Sequence, residues 1–76
     1  MAHFAKVENG IVREVIVVSN DDAPTEAEGK LFLVACGLEG NWVQTSYNGN
    51  PIEGQDRGKF AAVGDTWDGV VFQSNG

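Results

Sequence analysis

HFAKVENGIVREVIVVSN, residues 3–20, decides the fold, because two β-favouring stretches flank the dipeptide Asn9-Gly10. Asparagine and glycine accept positive φ at low cost, so this pair between apolar runs is a strong hairpin signal. A two-residue loop would set Lys6 opposite Arg13, an unfavourable like-charge pair. A three-residue loop with Gly10 as a left-handed bulge moves the register by one and relieves the clash, and is the expected arrangement. The second strand is apolar on both sides: Val12, Ile16 and Val18 point one way, and Ile11, Val15 and Val17 the other. One face calls for a helix. The opposite face, Ile11, Val15 and Val17, calls for another cover, and a second copy of the chain is the expected one, giving a homodimer.

Downstream, residues 19–40 open with turn formers and become helical. Thr25 and Glu28 have the spacing of a capping box, and Glu26 and Glu28 suit the positive end of a helix. Ala27, Leu31, Val34, Ala35 and Leu38 recur at the spacing of one helical face, expected to be the buried one. Gly29 weakens such a helix by roughly 1 kcal/mol, and Gly37 or Gly40 ends it. Cys36, in the same apolar stretch, reads as a buried structural thiol.

After Gly40 the period changes to that of a strand: Trp42, Gln44 and Ser46 share one side, and Val43, Thr45 and Tyr47 the other. The segment NGNPIEGQDRGK, residues 48–59, is dense in glycine, asparagine and proline and reads as an exposed loop. KFAAVGDTWDGVVFQSNG, residues 59–76, reads as a strand, a bend and a hairpin turning at Asp68-Gly69. The expected fold is therefore α+β: one domain over residues 1–76, a small antiparallel sheet with one helix packed on it, in the order β-β-α-β-β-β.

Size and charge bound the function. A chain of 76 residues buries only about 60% of its unfolded surface, so extra burial from a partner is expected. Five Lys plus Arg against eleven Asp plus Glu give a net charge of −6, which repels a phosphate backbone, so no nucleic-acid partner is expected. The longest apolar run, Val15 to Val18, cannot span a bilayer, and the amino terminus has no signal-like core. A soluble, intracellular protein without a membrane partner is the expectation.

Chemistry-bearing residues are sparse. His3 and Cys36 are the only soft or borderline metal ligands where a closed zinc site wants four, so no metal is expected. Asn20, Asp21 and Asp22 lack the alternation and the coordinating glutamate of a calcium loop. Neither phosphate-binding glycine pattern occurs, no nucleophile–base set can be assembled, and neither a cofactor nor an enzymatic activity is expected. The rings Trp42, Tyr47, Phe60, Trp67 and Phe72 mostly serve a core, with Tyr47 and Trp67, each beside a turn, as candidate partner contacts. Arg57 and Lys59 form the sole local positive patch, and the loop that carries them is a second candidate contact, suited to an acidic partner.

MAHFAKVENGIVREVIVVSNDD at the start, NWVQTSYNGN in the middle and KFAAVGDTWD near the end resemble a family of small proteins encoded by tailed phages of marine cyanobacteria and other ocean bacteria. The resemblance implies a hairpin, a helix and a WVQTSYN-type strand, and it brings no activity with it. Some members look like virion or tail-fibre accessory proteins, with longer relatives continuing into Pro- and aromatic-rich tails. This chain stops at Gly76, so the resemblance implies a compact accessory domain. The implied role is a virion-associated or host-interaction module, located in the host cytoplasm during infection or in the virion. The alternative is an intracellular binding protein that sequesters a host factor or small ligand.

Overall fold

Residues 2–18 form the hairpin in a computed structural model that describes residues 1–75. Strand β1 (Ala2–Glu8) runs antiparallel to β2 (Ile11–Val18), and Glu8 pairs with Ile11 across Asn9-Gly10. Both turn residues have positive φ, 53° and 78°, so the loop has two residues, as a primed turn requires. The expected three-residue loop is not formed. The register shift lies inside the strand instead: Val7 faces Val12, Lys6 faces Glu14, and Arg13 is the extra residue of a β-bulge. Like charges are still kept apart, since Lys6 meets a carboxylate.

The bulge reassigns the faces of β2. Val12 packs with Ala5, Val7 and Val15, while Ile16 and Val18 pack with Ala2 and Phe4 on the other side. Alternation then puts Ile11 on the side of Ile16, apart from Val15 and Val17, so the expected trio does not share a face.

The fold is α+β, with elements β1, β2, α1 (Glu26–Ala35), β3 (Asn41–Thr45), β4 (Thr66–Trp67) and β5 (Phe72–Gln73). The antiparallel sheet has the spatial order β3-β1-β2-β4-β5, so β1 is paired on both edges. Phe4 and Ala5, one on each face of β1, are completely buried.

Helix α1 starts where the capping residues place it: the Thr25 hydroxyl accepts the Glu28 amide hydrogen at 3.2 Å. It ends in a Schellman arrangement, with Gly37 at φ 82°, Gly37 N bonded to Val34 O and Leu38 N to Leu33 O. Its rotation is the reverse of expectation. Gly29 and Leu33 are buried, and Phe32 packs against the cluster of Ala2, Phe4, Val18, Ala23 and Trp42. A Cβ at Gly29 would come within 2.3 Å of Phe4 Cζ, so this glycine is where the helix backbone meets the sheet. Ala27, Leu31, Val34 and Ala35 consequently face outward, Leu38 lies exposed beyond the helix end, and Cys36, at the C-cap, is exposed rather than buried.

The opposite sheet face is covered by the chain itself. Ala61 and Phe72 join Ala5, Val7, Val12 and Val43, with Val15 and Trp67 packed against them. The carboxy-terminal segment docks at the bulge, where Val12 N donates to Asp65 O and Val12 O accepts from Gly64 N, both at 2.8 Å. A second copy is not needed to cover Val15, which is half-buried; Val17 stays 51% exposed. Residues 59–63 form no strand, and the hairpin β4–β5 turns through Asp68–Val71, with Asp68 Oδ1 accepting from Val70 N and Val71 N. Those two bonds hold the Asp68 carboxyl below its usual range. Among the described residues no helix is long and apolar enough to cross a membrane.

Candidate functional site

Two of the side chains expected to form an open contact patch are engaged within the molecule. Arg57 reaches back to the first residue of α1: Nη1 and Nη2 engage the two Glu26 carboxylate oxygens, Nη1 also donates to Gln44 O at 2.9 Å, and Nη2 donates to Gln55 Oε1 at 2.9 Å. Burial disfavours the charged form of Glu26, yet the bonds from Arg57 and from Gln44 N, with the charges of Arg57 and Lys30, outweigh it and hold the carboxyl below its usual value. The same bond to Glu26 raises the Arg57 guanidinium. Lys59 bridges to Asp65 at 2.7 Å and to Ser74 Oγ at 3.1 Å, and its bond keeps the Asp65 carboxyl below the ordinary range.

The loop of residues 48–59 is thereby pinned to the helix and to β3. Ile52 is buried in a tight turn with Gln55, and Phe72 N donates to Arg57 O. Trp67 is also built into the fold, with Phe72 at 4.5 Å between ring centroids and the Arg57 guanidinium carbon 5.8 Å from its ring. Arg57 and Lys59 are thus each paired with a carboxylate, and Trp67 is partly buried, with Arg57 beside it in a second depression.

Tyr47 is different. It follows β3 and remains 73% exposed, although His3 stacks against it at 5.8 Å and Phe60 meets it edge-on at 5.5 Å. His3 and Phe60 also meet edge-on at 5.3 Å, so three rings brace one another. Beside them lies an open depression of about 380 Å³, formed by His3, the end of β3, the approach to α1 and residues 48–53. Asn48 shapes its rim: its Oδ1 accepts from Ser46 Oγ at 2.9 Å and from Asn50 N at 3.2 Å. Among the described residues no side chain hydrogen-bonds the His3 ring, and the sequence reading of Tyr47 as a contact did not include its two ring neighbours, His3 and Phe60. His3 lies 44 positions away in sequence, and only the β1–β3 pairing, with His3 opposite Thr45, brings it alongside.

The second open surface is the outward stripe of α1. Leu31 and Val34 are 70% and 59% exposed, with the exposed Ala27 and Ala35 beside them, and Leu38, past the helix end, is 42% exposed. This is the stripe that sequence periodicity assigns to the core.

No protein-family model matches the chain, and no curated protein or solved structure shows significant similarity to it. Its own surfaces therefore carry the functional reading.

Proposed function

We propose that the protein is a non-enzymatic phage accessory module that works by association, with the outward stripe of α1 as its contact surface and a second copy as the occupant. The observation that carries this is the exposure of Leu31 and Val34, with Ala27 and Ala35, on one side of a helix whose opposite side holds the buried Gly29 and Leu33. Contiguous apolar exposure of this kind favours contact with another surface. The stripe is self-complementary in charge: at about 100° per residue, Glu28 borders it on one side and Lys30 on the other. In a parallel two-fold pairing, each acidic flank lies beside the partner's basic flank, which favours a like copy.

The patch is small against the roughly 1,200–2,000 Å² of a stable interface, so the dimer is weak and concentration-dependent. Sedimentation velocity from the micromolar to the millimolar range tests it. The mass should rise with concentration, and Leu31→Glu should abolish the rise while leaving the circular dichroism spectrum unchanged. A monomer throughout that range overturns the dimer. The phage role rests on the resemblance of residues 1–50 and is tested separately by mass spectrometry of purified virions. Stoichiometric recovery supports a virion component, and absence supports action in the host cytoplasm.

A further inference from the structure

The depression beside Tyr47 combines features that the helix stripe lacks. Its lining includes His3, Tyr47 and Asn50, whose side chains make no hydrogen bond to any other described residue. All three line one concavity, and between them they offer donors and acceptors of both kinds. No lysine or arginine lines it, and the acidic side chain that does, Glu53, has its Oε2 occupied by the Glu26 amide hydrogen at 2.9 Å. The volume falls at the lower end of the range for small-ligand sites, about 300–1,000 Å³.

These features discriminate among ligand classes. Of the lining residues only Met1, through its amino terminus, offers an anion a positive charge, and it does so against a net charge of −6 around it. A wholly apolar ligand would bury the amide of Asn50 without partners, which is costly. A cation would find a single carboxylate, with one of its oxygens already engaged. What remains is an uncharged molecule rich in hydroxyls, with one apolar face to lie on a ring. Tyr47 supplies that ring, backed by His3 and Phe60 so that its plane is set before a ligand arrives, and its electron-rich face suits polarised C–H groups.

We infer that this depression is a binding site for a neutral saccharide, with Tyr47 as the stacking platform and His3 and Asn50 as the hydroxyl-reading groups. The site stands apart from the helix stripe, so the two can be tested separately. Its openness lets a glycan chain continue into solvent, and its shallowness makes the affinity weak, on the order of millimolar for a short oligosaccharide.

The test is a two-dimensional amide NMR titration of the protein with neutral tetrasaccharides built on glucose in α and β linkage, mannose, galactose and N-acetylglucosamine. Each is added to about ten times the expected Kd. At least one should shift the amides of His3 and residues 44–50 in a saturable manner and leave those of Leu31 and Val34 unmoved. Tyr47→Ala, at an exposed position, should keep the spectrum of the fold and weaken binding at least tenfold, while Leu31→Glu should bind as well as the parent. Glycerol at matched hydroxyl concentration is the control. The inference is overturned if no tetrasaccharide shifts those amides, if glycerol shifts them equally, or if Tyr47→Ala binds unchanged.

Discussion

Gly29 of the helix lies directly over Phe4 of the central strand, so close that a Cβ at position 29 would stand 2.3 Å from Phe4 Cζ and 2.9 Å from Ala23 Cβ. Phe4 is fully buried between sheet and helix and cannot swing away. The contact sets the rotation of the helix, and with it which of two apolar stripes is left for a partner.

Two effects oppose each other in Gly29→Ala. Helix propensity favours alanine by about 1 kcal/mol. Overpacking against a fixed ring costs about 1–3 kcal/mol, and at this separation the clash wins. The denaturant midpoint should fall, and Phe4→Leu in the same chain should recover part of the loss. A rise in midpoint for Gly29→Ala alone would mean the helix sits farther from the sheet.

Glu26 and Arg57 tie the helix start to the loop and to β3. Removing one partner leaves the other's charge mostly buried, so Arg57→Ser should cost about 3 kcal/mol. Lys59→Ser leaves the buried Asp65 carboxylate with the Ala62 amide as its remaining side-chain bond and should cost about 1–2 kcal/mol, less than the loss at Arg57. Equal effects in urea denaturation would contradict the difference in burial.

The same carboxylates set the acid limb of stability. Glu26 and Asp65 both ionise below their ordinary values of 4.5 and 3.8 in the folded chain. A folded pKa below the unfolded one contributes stability that is complete above the unfolded value and is lost as pH falls through the folded value. Thermal midpoints should therefore hold between pH 7 and pH 5, by this linkage, and drop below about 4.5. Glu26→Gln, though less stable at neutral pH, should show a shallower acid decline.

Thr25 accepts one helix amide, and Glu53 accepts another from Glu26 N. Thr25→Ala should cost about 1 kcal/mol, the usual loss for such a cap. Glu28→Ala should cost little, because Thr25 receives only the Glu28 amide. A larger loss for Glu28→Ala in chemical denaturation would indicate a full reciprocal box.

Local chemistry made the hairpin, the helix limits and the alternation of Trp42 and Val43 legible before the structure. Asn9-Gly10, Thr25 and Gly37 act on their immediate neighbours. The rotation of the helix was not legible, because periodicity weighs side chains and Gly29, the residue of closest approach, has none. Nor were the partners of Arg57, since Glu26 lies 31 positions away and Gln44 13 positions away. The bulge at Arg13 had one visible sign, the like-charge clash with Lys6, which names the problem but admits more than one remedy.

Val15 and Val17 point to the same sheet face but meet different surroundings, which separates cover by the chain's own residues 61–72 from cover by a second copy. Val15 packs with the cluster that Ala61, Trp67 and Phe72 complete, so Val15→Asp would bury a carboxylate without a partner. Such a change costs several kcal/mol, a large share of the stability of a small domain, and the variant should be largely unfolded by circular dichroism. Val17 lies beyond that cover at 51% exposure, and Val17→Asp should change the denaturant midpoint by no more than about 0.5 kcal/mol. It should also leave the concentration dependence of the mass as in the parent, because the contact surface lies on the helix. If Val17→Asp instead yields a folded monomer at concentrations where the parent dimerises, the second copy sits on the sheet, and Leu31→Glu will dimerise normally.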